Sequence, residues 1–152
     1  MDAAEVKDLL NKMNALEGSE GSCKVNSVAL MQDPIVANRL AVELLQKVDR
    51  DSKPELVVAA EGVDSYFGYS VALAAWMRFL CAEKEGEGFK LPKGTSIKKN
   101  EKTILVIDSY NEDTAKALIE TVTAQGAKPV AILSLVGPAE EPSHDWKVLS
   151  LL

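Results

Sequence analysis

Residues 55–60 (ELVVAA), 103–108 (TILVID) and 129–136 (PVAILSLV) are apolar almost without a break. A strand with one wet face alternates between apolar and polar residues, whereas a strand covered on both faces does not. These runs therefore predict central strands of a parallel sheet. Helical patterns lie between them. Ile35, Leu40, Leu44, Leu45 and Val48 form one stripe, with Asp33 suited to cap the helix and Pro34 to fill its first position. Further helices are expected over 3–16, 65–78 and 113–125, the last stopped by Gly126 in a left-handed conformation. Shorter runs at 79–82 (FLCA) and 146–149 (WKVL) supply additional strands. Strands alternating with helices predict right-handed crossovers and a three-layer, Rossmann-like α/β domain.

The 152 residues fit a single domain, 1–152, without an internal repeat or linker. Residues 18–22 read as a loop, and so does the charged, glycine-containing stretch 83–102. The latter is expected to be a mobile excursion with short paired strands near 95–98. Seventeen basic against 23 acidic residues leave a net charge of −6. That balance argues against a nucleic-acid partner, which calls for a basic stripe. No apolar run reaches membrane-spanning length, and the acidic, amphipathic N-terminus is unlike a signal peptide, so a cytoplasmic location is expected. The two cysteines, Cys23 and Cys81, lack metal-site spacing, and Cys81 is expected in the core.

In open α/β sheets ligands bind beyond the carboxyl ends of the strands, near a switch in strand order. Two such ends carry polar turns: 59–64 (AAEGVD) and 106–115 (VIDSYNEDTA). Neither a phosphate-loop GxxxxGK[ST] nor a dinucleotide GxGxxG occurs. The single histidine, His144, lies in a proline-flanked loop and is expected to be exposed, which leaves a Ser-His-acid triad unsupported.

The run ILVIDSYNEDTA resembles the ribose-phosphate signature of the type I phosphoribosyltransferases, particularly the orotate-type members. VVAAEG is similar to their pyrophosphate loop, FLCAEKE to the strand and basic loop that follow, and VLSLL to their closing strand. The resemblance covers most of the chain from Val28 onward by segment order, leaving 1–27 as a helix, a loop and a reduced hood. It implies a Mg²⁺-dependent transferase acting on phosphoribosyl pyrophosphate, or a binder of a phosphoribosyl or nucleotide ligand, and a homodimer as an option. It assigns ribose contact to Asp108 and a catalytic loop base to Lys84. Glu61, Gly62 and Val63 would line the diphosphate side. Ser109, Glu112, Asp113, Thr114 and Ala115 would form the phosphate turn.

Within that pattern Ser109 stands where a second acid is usual, and Glu112 and Asp113 stand where small neutral residues are usual. Two like charges about 4 Å apart repel by roughly 4 kcal/mol at an effective dielectric of 20, so carboxylates facing a phosphate would oppose it. Acids in a first helical turn also satisfy the dipole and amides that would hold the anion. Three readings therefore stand: an active phosphoribosyltransferase, a relative that has lost catalysis and binds a ligand or protein partner, and an unrelated α/β domain that shares only the architecture.

Overall fold

The computed structural model describes residues 1–19 and 22–152, so Glu20 and Gly21, in the expected loop at 18–22, lie outside the described residues. Helix α1 (Ala3–Lys12) leads into a small antiparallel pair, β1 (Leu16–Glu17) and β2 (Lys24–Val25), and then a single helical turn, α2 (Ser27–Leu30). Next come α3 (Pro34–Leu45), β3 (Leu56–Ala60), α4 (Val63–Ala75), β4 (Arg78–Glu85) and β5 (Gly88–Lys90). The chain closes with β6 (Lys102–Val106), α5 (Glu112–Ala124), β7 (Lys128–Ser134) and β8 (Val148–Ser150).

The main sheet has the order β5-β4-β3-β6-β7-β8. All pairings are parallel except β4 with β5. Every residue of β3 is buried, as its unbroken apolar run requires of a strand covered on both faces. Val57 and Ala59 belong to the core layer shared with α1, α3 and α4, while Leu56 and Val58 face the layer containing α5. This is the expected three-layer α/β architecture with a parallel-dominated sheet.

Local chemistry explains most boundaries. Asp33 accepts from the amides of Ile35 and Val36, with Pro34 in the first turn, and Gly126 adopts φ +90° beyond the end of α5. The structure also corrects several expectations. Helix α1 stops at Lys12, and Asn14 turns left-handed (φ 55°) to launch the β1–β2 pair, which short polar strands had hidden. Helix α4 stops at Ala75 because Trp76 is left-handed (φ 55°), so Arg78 begins a strand.

In the 83–102 stretch the paired strands are 83–85 with 88–90, not 95–98. The stretch is also tied to the body. Ile97 is buried, and Glu101, only 4% exposed, receives Arg78 Nε and Nη2 at 3.1 and 2.9 Å and the Lys98 amide at 2.9 Å. Burial pushes the Glu101 carboxyl up, but these bonds and the Arg78 charge outweigh it and hold the group below its usual range. Among the described residues no helix is long and apolar enough to cross a membrane.

Candidate functional site

From β3 the chain moves to β4 on one side and then to β6 on the other, so the strand order reverses between β3 and β6. A cleft of about 790 Å³ opens at that point. The start of α4 contributes Val63 and Asp64 to it, and the segment after β6 contributes Asp108, Ser109 and Tyr110. The first turn of α5 adds Asn111 and Thr114, and the loop after β7 adds Gly137 to Ala139. The N-terminal elements form the remaining wall with Lys7, Glu17, Cys23 and Lys24.

Asp108 is 5% exposed, and its hydrogen bonds account for its position. Its Oδ1 accepts from the Ser109 amide at 2.6 Å, and its Oδ2 accepts from the Ser27 hydroxyl. Its own amide donates to Asp64 Oδ1 at 2.9 Å, so the first turn of α4 is fastened to the end of β6. Burial raises the Asp64 carboxyl, and the side chain and charge of Asp108 raise it further, up to about 8, against the lowering effect of the Asp108 amide. The shift favours the neutral form of Asp64. The Ser109 hydroxyl accepts from the Val25 amide at 2.8 Å, which docks β2 onto the same strand end.

The phosphate turn is built differently from expectation. Asn111, not Asp113, caps α5: its side chain accepts from the Thr114 amide at 3.0 Å. The amide cap brings no charge of its own, but Glu112 and Asp113 both stand in the first turn of α5, where their charge offsets the positive end of the helix dipole. Glu112 does not line the cleft. Its Oε1 accepts from the Tyr110 hydroxyl at 2.7 Å, and its Oε2 accepts from the Ser143 amide at 3.2 Å. The Tyr110 bond is the main cause holding the Glu112 carboxyl below its usual range. Burial and that same carboxylate raise the Tyr110 phenol.

Because the Tyr110 proton is committed to Glu112, His144 Nε2, 2.7 Å from the same oxygen, must be the donor. The His144 side chain is only 9% exposed, correcting the expectation of an exposed histidine, and its Nδ1 is buried without a partner in the structure. The trio clamps the 137–144 loop beside the cleft.

Of the residues expected at the site, Val63, Asp108, Ser109 and Thr114 converge on the cleft. Ala115 is buried under α5 in the core. Glu61, Gly62, Glu112 and Asp113 do not line the cleft, nor does Lys84, which faces Phe89 in the β4–β5 pair. Asp64, Ser27 and Asn111 were missed. Cys81 is half-buried rather than in the core, and lines an apolar groove with Val28, Met31, Tyr66, Tyr69 and Phe79. Among the described residues no group of three or more His, Cys, Asp or Glu is placed to hold a metal ion.

The architecture places the cleft and its strand-end aspartate at the switch in strand order of an α/β domain, and comparisons with known proteins show a resemblance to the type I phosphoribosyltransferases. In sequence the chain is similar to the orotate phosphoribosyltransferase of Helicobacter pylori strain G27, at 27% identity over 122 residues. The match covers 78% of this chain and 60% of the relative, so the chain spans about 60% of the length of the curated relatives it matches. No family model matches.

In structure the chain resembles adenine phosphoribosyltransferase from Saccharomyces cerevisiae, complexed with adenine and an imino-altritol bisphosphate. The TM-score is 0.71 at 20% identity, with 98% of this chain and 99% of that one covered. Orotate phosphoribosyltransferase from Aeropyrum pernix also gives 0.71, at 18% identity, covering 96% and 92%. The fold is that of the type I phosphoribosyltransferases.

Proposed function

We propose that this chain is a phosphoribosyltransferase-type protein whose cleft holds the sugar-phosphate portion of a phosphoribosyl ligand. The observation that supports this reading most is the meeting of Asp108, Asp64 and the first turn of α5 at the switch in strand order. A carboxylate at a strand end suits ribose hydroxyls, and a helix start with a neutral cap suits a phosphate. Lys7 and Lys24 on the facing wall supply positive charge to an otherwise acidic protein.

In the transferase reaction a base nitrogen bonds to the sugar's anomeric carbon as the bond to diphosphate breaks. Magnesium held by the diphosphate would supply neutralisation of the leaving group's charge. The chain's own task is to orient the sugar and exclude water.

One observation favours a second reading, in which binding persists and transfer is lost. Of the residues assigned to the diphosphate side only Val63 lines the cleft; Glu61, Gly62 and the loop base Lys84 do not. Calorimetric titration with phosphoribosyl pyrophosphate plus Mg²⁺, beside a diphosphate-release assay with orotate and with adenine, separates the readings. Micromolar binding with release supports the transferase, and binding without release supports the second reading. No binding refutes both.

A homodimer is part of the proposal. The face bearing Val63, Tyr66, Leu73 and Trp76 is exposed, with Trp76 92% accessible, and a second copy would cover it. Sedimentation analysis should show a dimer, and a monomer at all concentrations would refute this part.

A further inference from the structure

The residue beside Asp108 cannot serve as a second acid. Ser109 carries no charge, and its hydroxyl is committed to the Val25 amide at 2.8 Å. Two other carboxyls line the cleft, those of Glu17 and Asp64. Glu17 is turned aside, its Oε1 accepting from Asn26 Nδ2 at 3.1 Å in an exposed position. Asp64 is held in register with Asp108 by the 2.9 Å bond from the Asp108 amide to Asp64 Oδ1.

We propose that Asp64, at the start of α4, is the second acid of the sugar subsite, acting across the cleft as a hydrogen-bond donor beside the acceptor Asp108. This rests on the cleft being a sugar-phosphate site and adds to it the residue that sets its selectivity for a diol.

The chemistry follows from the bonding inventory. The side chain of Asp108 already accepts from Ser27 and from the Ser109 amide, so it acts as an acceptor. With Oδ1 of Asp64 engaged by the Asp108 amide, the other oxygen is the one left to carry a proton. Each sugar hydroxyl offers both a hydrogen and a lone pair. A vicinal diol entering between the two acids can give its hydrogen to Asp108 and take the Asp64 proton on its neighbouring oxygen.

Charge supports the same arrangement. Two ionised acids would repel each other and any incoming phosphate, whereas one proton leaves the pair a single negative charge. The other titratable groups on the cleft are Lys7 from α1, Glu17 from β1, Cys23 and Lys24 at β2, and Tyr110 after β6. A dianionic sugar phosphate thus meets two lysines and a half-neutralised acid pair.

The test uses ribose 5-phosphate as probe, with affinities measured by calorimetry for the wild type, Asp64→Asn and Asp64→Ala. Asparagine keeps an acceptor for the Asp108 amide and a permanent donor in place of the acid proton. With the Asp64 carboxyl titrating at about 8, moving from about pH 7 to about pH 9.5 should weaken wild-type binding by more than about tenfold. Asp64→Ala should bind weakly at both values. Asp64→Asn should restore neutral-pH affinity and remove most of the pH dependence. Cys23 and the two lysines remain in both proteins, so the difference in slope belongs to Asp64. Equal slopes in wild type and Asp64→Asn, or failure of asparagine to restore binding, would overturn the proposal.

An infrared readout separates this inference from the reading beneath it. A protonated-carboxyl band at neutral pH, absent in Asp64→Asn, is expected without any ligand. If that band is present but ribose 5-phosphate does not bind, the sugar-phosphate reading of the cleft fails and the diol role fails with it. If the band is missing, the inference fails whatever binds.

Discussion

Replacing Gly68 by alanine sets two opposed effects against each other on the helix that carries Asp64. In a helix interior alanine is favoured over glycine by about 1 kcal/mol. At this position, however, an added Cβ would lie 2.7 Å from the Cβ of Ala59 and 3.1 Å from Cε1 of Phe79. The Phe79 ring can rotate, but the Ala59 methyl is rigidly attached to the central strand β3. Restoring ordinary contact means moving α4 off β3 by about 1 Å. That movement would loosen Phe67, Val71 and Ala72, all buried on the same helix. Overpacking of this kind costs about 1–3 kcal/mol, which outweighs the helical gain at most of its range. The expected net loss is about 1 kcal/mol, a fall of about 2–4 °C in Tm for a chain of this size. Urea unfolding would measure the former and calorimetry the latter. Ribose 5-phosphate affinity should fall as well, because Asp64 moves with its helix. A variant more stable than wild type by about 1 kcal/mol would show that propensity alone governs the site and that the close α4–β3 contact is not formed.

Three further outcomes follow from named contacts. Arg78→Met strips Glu101 of its main partner; breaking a buried pair costs about 3–5 kcal/mol, and the partial exposure of Arg78 places the loss near or below the lower end. Because the Glu101 carboxyl is held below its ordinary range, its contribution is present above the unfolded value of about 4.3 and is lost as pH falls through the folded one, so unfolding of Arg78→Met followed from neutral to acid pH should show a shallower decline than wild type. Asn111→Ala removes the cap of α5 and should cost about 1 kcal/mol in urea unfolding. Asp64 has the opposite sign to Glu101: its raised carboxyl makes the folded state bind the extra proton, so stability falls as pH rises from the ordinary value of about 3.9 to about 8, and Asp64→Asn should flatten that part of the stability–pH curve.

The architecture was legible because burial on both faces leaves an unmistakable mark: 55–60, 103–108 and 129–136 contain β3 and most of β6 and β7. The resemblance also led to Asp108, since a polar residue ending an apolar strand stands out. Its partners were harder to see. Asp64 looks like any first-turn acid, and Ser27 lies 81 residues from Asp108, a separation that no local pattern spans. Glu112 and Asp113 do fall in the first turn of α5, as their sequence suggested, but the side chain that reaches the free Thr114 amide is that of Asn111, at 3.0 Å. Lys84 matched by order alone, and its place in the β4–β5 pair follows from a turn at Gly86, φ +60°, whose consequence for the strand that follows was not read. His144 looked solvated because loops usually are, whereas Tyr110 draws it in.

The most direct test of the central claim is a crystal structure of this chain soaked or grown with ribose 5-phosphate. The ligand should lie between the Asp64–Asp108 pair and the first turn of α5, with sugar hydroxyls on the acids and the phosphate at Asn111 to Thr114. A sugar phosphate bound instead in the apolar groove beside Cys81, with the β3–β6 cleft empty, would contradict it.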